Sequence, residues 1–167
     1  MTISYHKIYL DEVSNIEDRK IIKVTPFLQS SLGGEMDGDC TLVSISSLVD
    51  YYLGYEEDIK NIYNKVLLSI QPSWISQPKY YGTIPLFINI IMNNIKEAYQ
   101  LNYNATTKYF KGIGYNYDSI KKLINHNIPI ILTLYKANNG YYKYHSVTIR
   151  GFIENENNKD EIIKLLV

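Results

Sequence analysis

The order of patterns along this chain predicts an α+β fold, with helices first and an antiparallel sheet after them. Between Cys40 and Gln100 the apolar residues recur at helical spacing in successive runs. After Asn127 the pattern changes to short β-rich runs, IPIILTLYK, HSVTIRGFIE and EIIKLLV, divided by the polar stretches ANNGYYKY and NENNKD. Helices segregated from strands, rather than alternating with them, separate this class from a parallel α/β fold.

The elements follow in order. Residues 3–10, ISYHKIYL, alternate loosely and read as an edge strand, and DEVSNIEDRK is a polar connection. KIIKVTPFL, Lys20 to Leu28, is β-branched and contains Pro26, which suits a strand ending at or beside the proline. Gln29 to Asp39 packs three glycines and three acids into a loop. From Cys40, the residues Leu42, Val43, Ile45, Leu48, Val49 and Tyr52 follow helical spacing, with Asp37 or Asp39 as cap and Gly54 as stop. A helix with so few charges belongs deep in a core. Glu56 to about Ser69 gives a second helix, with Ile59, Ile62, Tyr63, Val66 and Leu67 on one face. SIQPSWISQPKYYGT, which holds Trp74, is either a cleft wall or a packed surface loop. Thr83 and Pro85 open the third helix, LFINIIMNNIKEAYQ. ATTKYFK reads as a strand, and YDSIKKLINHN as a short helix with Ile120, Leu123 and Ile124 inward. No repeat or linker-like stretch divides the chain, so residues 1–167 read as a single domain.

Composition narrows the partners. Seventeen basic residues balance seventeen acidic ones, so no basic field argues for nucleic acid or an anionic membrane. No run approaches the roughly 18 consecutive apolar residues of a membrane span. The first residues, MTISYHKIYLDEVS, carry no basic region followed by an apolar one, so no secretory signal is visible and a cytoplasmic location is expected, a mature secreted fragment being the alternative. The single cysteine excludes an internal disulfide and a cysteine-based zinc site. His6, His126 and His145 lack metal-ligand spacing, so neither metal nor other cofactor is expected.

That cysteine stands at the head of the most apolar helix. A helix head favours negative charge, and a thiol there ionises more readily. A free cysteine is also one of the commonest small buried residues, so position alone does not decide. His145 adds weight: it opens the strand HSVTIRGF, where a histidine can face a cleft. His126 ends a short helix, where a cation suits the helix C-terminus, and His6 reads as surface.

VTPFLQSSLGGEMDGDCTLVSISSLVDYYLG resembles the opening of a papain-like cysteine peptidase, above all the bacterial branch of bacteriocin-processing (double-glycine) peptidases. GTIPLFINIIMNN, IKKLINHNIPIILTLYK and YHSVTIRGF resemble its later part, so the likeness runs from about residue 22 to 153. The resemblance implies a papain-like fold, in which a helical half with a central Cys40-bearing helix packs on an antiparallel sheet carrying His145. It implies that Cys40 is the nucleophile, that His145 is the base forming an ion pair with it, and that Gln29 and the Cys40 amide hold the oxyanion. The substrate class implied is a peptide or amide, cleaved through an acyl-enzyme. The alternatives are an acyltransferase using the same pair and a degenerate papain-like binding or regulatory module.

Three departures accompany the likeness. Gln29 stands eleven residues before Cys40, farther than is usual. Thr41 occupies a position where glycine is common, which predicts a narrowed approach to the sulfur. The Asp or Asn that orients the histidine in such enzymes is not found by Val167. It either lies beyond this chain's end, is replaced by another group, is dispensed with in a dyad, or is lost together with activity. Asn155, Asn157 and Asp160 read as hairpin-turn residues, poorly placed to substitute. Glu35, Asp37 and Asp39 raise the thiol's pKa if solvated nearby, an effect that a protonated His145 at short range outweighs.

Overall fold

The computed structural model describes residues 19–25, 27, 39–70, 76–77, 82–83, 87–105, 117–138, 141–155 and 157–167. Among these the elements run β1 (Arg19–Ile21), α1 (Cys40–Leu53), α2 (Ile59–Ser69), β2 (Ser76–Gln77), β3 (Gly82–Thr83), α3 (Ile88–Tyr99), α4 (Tyr117–Asn125), β4 (Ile130–Asn138), β5 (Tyr141–Ile149), β6 (Gly151–Asn155) and β7 (Asn158–Leu166). The class is α+β, as the segregated patterns predict. The early strand at residues 3–10, Gln29 with most of its acidic loop, Trp74 and the stretch ATTKYFK lie outside the described residues, Ala105 excepted. The chain divides into two compact units: residues 24–109 with 131–148, and residues 1–23 with 110–130 and 149–167.

The first unit is built around α1. Every residue from Thr41 to Val49 is buried, which requires the polar ones to find partners inside. Ser46 Oγ donates to Leu42 O at 2.8 Å and Ser47 Oγ to Val43 O at 3.2 Å, so these hydroxyls are satisfied within the helix itself. Gly54 closes the helix at φ 70°, a conformation glycine adopts without a Cβ penalty. In α2, Asp58 caps the start by accepting from Lys60 N at 2.9 Å, which places the first turn at Ile59 rather than Glu56. Ile62 and Val66 of α2, with Ile91 and Ile95 of α3, close over Leu42, Ile45 and Val49 to form the core. Each such side chain, almost wholly withdrawn from water, contributes about 1.5–3 kcal/mol. The C-terminus of α3 is held by paired bonds, Leu101 N to Lys96 O and Gln100 N to Glu97 O, with Gln100 at φ 54°. In the same unit β2 pairs antiparallel with β3, and β5 pairs with β4.

The second unit is an antiparallel sheet in the order β1-β6-β7, associated with α4. Gly151 sits where β1 crosses closest: a Cβ there would lie 2.4 Å from Lys20 O. Ile120 and Ile124 of α4 are buried, whereas Leu123 is 37% exposed and does not join them. The reason is the helix terminus. Ile128 N donates to Leu123 O and Asn127 N to Ile124 O, with Asn127 at φ 57°. This motif characteristically sets the residues in the positions of Leu123 and Ile128 against each other at the helix end, outside the core. Lys121 Nζ lies 2.7 Å from Glu154 Oε1, joining α4 to β6.

Three strand expectations are corrected. HSVTIRGFIE is not one strand: at Arg150 the backbone leaves the β4–β5 pair, its N donating to Leu166 O and its O accepting from Ile22 N. β5 begins at Tyr141, so His145 lies at its centre and does not open it. Tyr141, Tyr142 and Tyr144 are strong strand formers, which carries the strand back beyond His145. By the same extension β7 starts at Asn158, which puts Asp160 in a strand and leaves Asn157 in the turn, with Asn155 ending β6.

Candidate active site

Cys40 is the first residue of α1 and half-buried. The residue before it does not cap the helix as expected. Asp39 occupies the cap position but makes no side-chain cap bond; its Oδ2 instead accepts from Tyr63 Oη of α2 at 3.0 Å. Asp39 is 3% exposed, so this acid is buried and claimed by a phenol rather than solvated beside the thiol. Burial, and then the neighbouring Asp39 charge, push the Tyr63 phenol far up, which keeps it a donor at neutral pH. Glu35 and Asp37 lie outside the described residues.

The strand pair β4–β5 brings His145 to Cys40. The two side chains hydrogen-bond, and His145 is exposed whereas its neighbour Ser146 is buried, as alternation along a strand requires. Ser146 N donates to Cys40 Sγ at 3.4 Å. Burial pushes the Cys40 thiol up, but the bond to His145, the Ser146 amide, the His145 charge and the Thr41 hydroxyl together pull it lower than an ordinary thiol. His145 moves oppositely: its bond to Cys40 raises it, burial lowers it, the Cys40 charge raises it again, and the net is upward. The two groups titrate toward each other, the condition for a thiolate–imidazolium pair.

α1 meets β5 through hydroxyls. Thr41 Oγ1 lies 2.8 Å from Ser146 Oγ, and Thr148 Oγ1 donates to Ser44 O at 3.4 Å. Thr41 and Ser44, on successive turns of α1, thus meet Ser146 and Thr148, which share one face of β5. Thr41 is 2% exposed, and its hydroxyl is turned to Ser146. The contacts of Ser146, Thr133 and Tyr63 were not anticipated from sequence. No local signal marked them: Thr41 and Ser146 are separated by 105 residues, Ser44 and Thr148 by 104. His126 is exposed, its Nδ1 2.7 Å from Lys122 O, at the end of α4 as expected.

The sequence profile of the Peptidase_C39 like family matches residues 21–163, through both compact units. The chain belongs to that family, and so to the papain-like cysteine peptidases. No curated protein and no solved structure matches it. Cysteine peptidase activity is the general property of that group, and peptides are the group's substrates. Among the described residues, no helix is long and apolar enough to cross a membrane.

Proposed function

We propose that this protein is a thiol-dependent hydrolase that cleaves a peptide or amide bond through a thioester on Cys40. The observation that carries this reading is the Cys40–His145 hydrogen bond, with the two groups' proton affinities drawn together. At ordinary values of about 8.5 and 6.5, the neutral pair outweighs the ion pair roughly 100-fold, and each unit of convergence removes about a factor of ten. The Cys40 thiolate adds to the carbonyl carbon. The tetrahedral adduct then expels the amine, which takes its proton from the His145 imidazolium. Water, giving a proton to the now neutral His145, attacks the thioester carbon; the C–S bond breaks and the acid leaves. His145 is exposed, so its ring reaches an incoming substrate as well as the sulfur. Gln29 remains the proposed second oxyanion donor beside the Cys40 amide. Residues 21–163, the family's span, act in this reading as one catalytic domain.

The test is the pH dependence of iodoacetamide labelling, which reads Cys40 alone because the chain has no other cysteine. Rapid labelling well below pH 8.5, lost in His145→Ala, is the expected result. A wild-type midpoint at an ordinary thiol's value, unmoved by His145→Ala, overturns the proposal.

A further inference from the structure

Behind Cys40 three hydroxyls stand in a row. Ser146 Oγ is 2.8 Å from Thr41 Oγ1 and 3.0 Å from Thr133 Oγ1. Thr41 belongs to α1, Ser146 to β5 and Thr133 to β4, so the row ties the cysteine helix to both strands of the pair that carries His145. Thr41 and Ser146 are almost fully buried. Ser146 touches the sulfur independently through its amide, at 3.4 Å.

A hydroxyl has one proton to donate, so directions along such a row are not independent. A thiolate only accepts. Once Cys40 is ionised, the hydroxyl of Thr41, the next residue along α1 and one that helps pull the thiol lower, gives its proton to Sγ. Its oxygen then accepts from Ser146, and Ser146 accepts from Thr133. Each donor polarises the next, and donors to an anion are the strong ones. With Cys40 protonated the constraint disappears and either direction serves.

We infer that Thr133, Ser146 and Thr41 form a one-way donor relay that holds the Cys40 thiolate, with Thr41 and the Ser146 amide on the sulfur and the Ser146 and Thr133 hydroxyls as positioning groups. The inference rests on the acyl-transfer reading of Cys40 for its purpose. It gives Thr41 a role that a glycine in its place would leave empty.

The experiment is the same labelling midpoint, read in variants whose fold is checked by circular dichroism. Thr41→Val raises the midpoint by about one pH unit, a roughly tenfold loss of labelling rate well below it. Thr41→Ser restores the wild-type value. Ser146→Ala, which keeps the amide, raises the midpoint less, and in the Thr41→Val background it adds nothing, because the Ser146 hydroxyl acts through Thr41. Should Thr41→Val fail to fold, Thr133→Val carries the test: it raises the midpoint alone and is without effect in Ser146→Ala. A midpoint unchanged by Thr41→Val or, in that substitute arm, by Thr133→Val, or effects that add in full, overturns the relay. If wild type and His145→Ala differ as proposed while these variants track wild type, the relay falls and the hydrolase reading stands. If wild type already labels as an ordinary thiol, both fall.

Discussion

Tyr63→Phe removes a single oxygen, and that oxygen holds the residue immediately before Cys40. The phenol donates to Asp39 Oδ2 at 3.0 Å, with Tyr63 8% and Asp39 3% exposed. A hydrogen bond to a charged group has a net value of about 1.5–3 kcal/mol, and a buried carboxylate deprived of a donor lies toward the upper end. For a chain of this length, about 2–4 °C per kcal/mol converts that to a Tm lowered by roughly 5–10 °C. The pH dependence carries a sign of its own. The folded Tyr63 phenol is pushed up by burial and by the Asp39 charge, so its contribution to stability is fully present below the unfolded phenol's value of about 10 and fades as pH rises beyond it. The gap between wild type and Tyr63→Phe therefore holds through neutral pH and narrows above about pH 10.

Thermal unfolding of Tyr63→Phe, Asp39→Asn and the double variant measures the pair directly, with a coupling of at least about 1 kcal/mol expected. A second readout follows from geometry. With the phenol gone, the Asp39 charge is less offset and bears more on the first turn of α1, where it opposes the thiolate at the same positive helix end, so the labelling midpoint of Cys40 rises. A Tm within 1 °C of wild type (against the roughly 5–10 °C expected), or no coupling in the cycle, refutes the reasoning.

Three further outcomes are expected. The His145 imidazole, followed by NMR, titrates above the ordinary histidine range in wild type and drops to or below it in Cys40→Ala, because the bond to Cys40 is the largest cause raising it and burial alone lowers it; its contribution to stability is full below about pH 6.5 and is lost as pH rises through the folded value. Gly151→Ala drives a Cβ to 2.4 Å from Lys20 O and 3.1 Å from Leu166 Cδ1, and urea unfolding should register a loss of about 2–3 kcal/mol as β1 is pushed off β6. Gln100, held at φ 54° at the end of α3, gains by substitution: Gln100→Gly raises Tm slightly, while Gln100→Val costs about 1–2 kcal/mol.

How far the fold was legible depends on how local each determinant is. The span of α1 could be read, because its first residue, its single charge and the Gly54 stop all lie within fifteen residues. The end of α4 could not. Leu123 has inward spacing, but the terminus needs Asn127 in the left-handed region, and that geometry takes Leu123 with Ile128. The β5 boundary was misplaced because residues 141–144 were read as loop with the adjoining Asn and Gly, although three of the four are tyrosines, which favour strands. Cys40 and His145, singled out in the sequence, are brought together. Their supporting groups were not, since Asp39 looks like a cap until Tyr63, 24 residues away, offers a buried proton.

The two polar residues flanking Cys40 both looked adverse in the sequence, one as an acid beside a thiol and one as bulk before a nucleophile. Both are turned inward. Asp39 Oδ2 accepts from Tyr63, and the Thr41 hydroxyl joins a row that includes Ser146. A buried polar group has to be partnered or it is costly, so the same pressure that hides these residues fixes where their dipoles point. The thiol is left with donors on the side of Ser146 and Thr41 and with His145 on the exposed side. Desolvation, the largest single influence and the one that opposes ionisation, is then overcome by several directed donors together. No one of them suffices alone, and so the loss of any one should raise the thiol's midpoint without unfolding the chain.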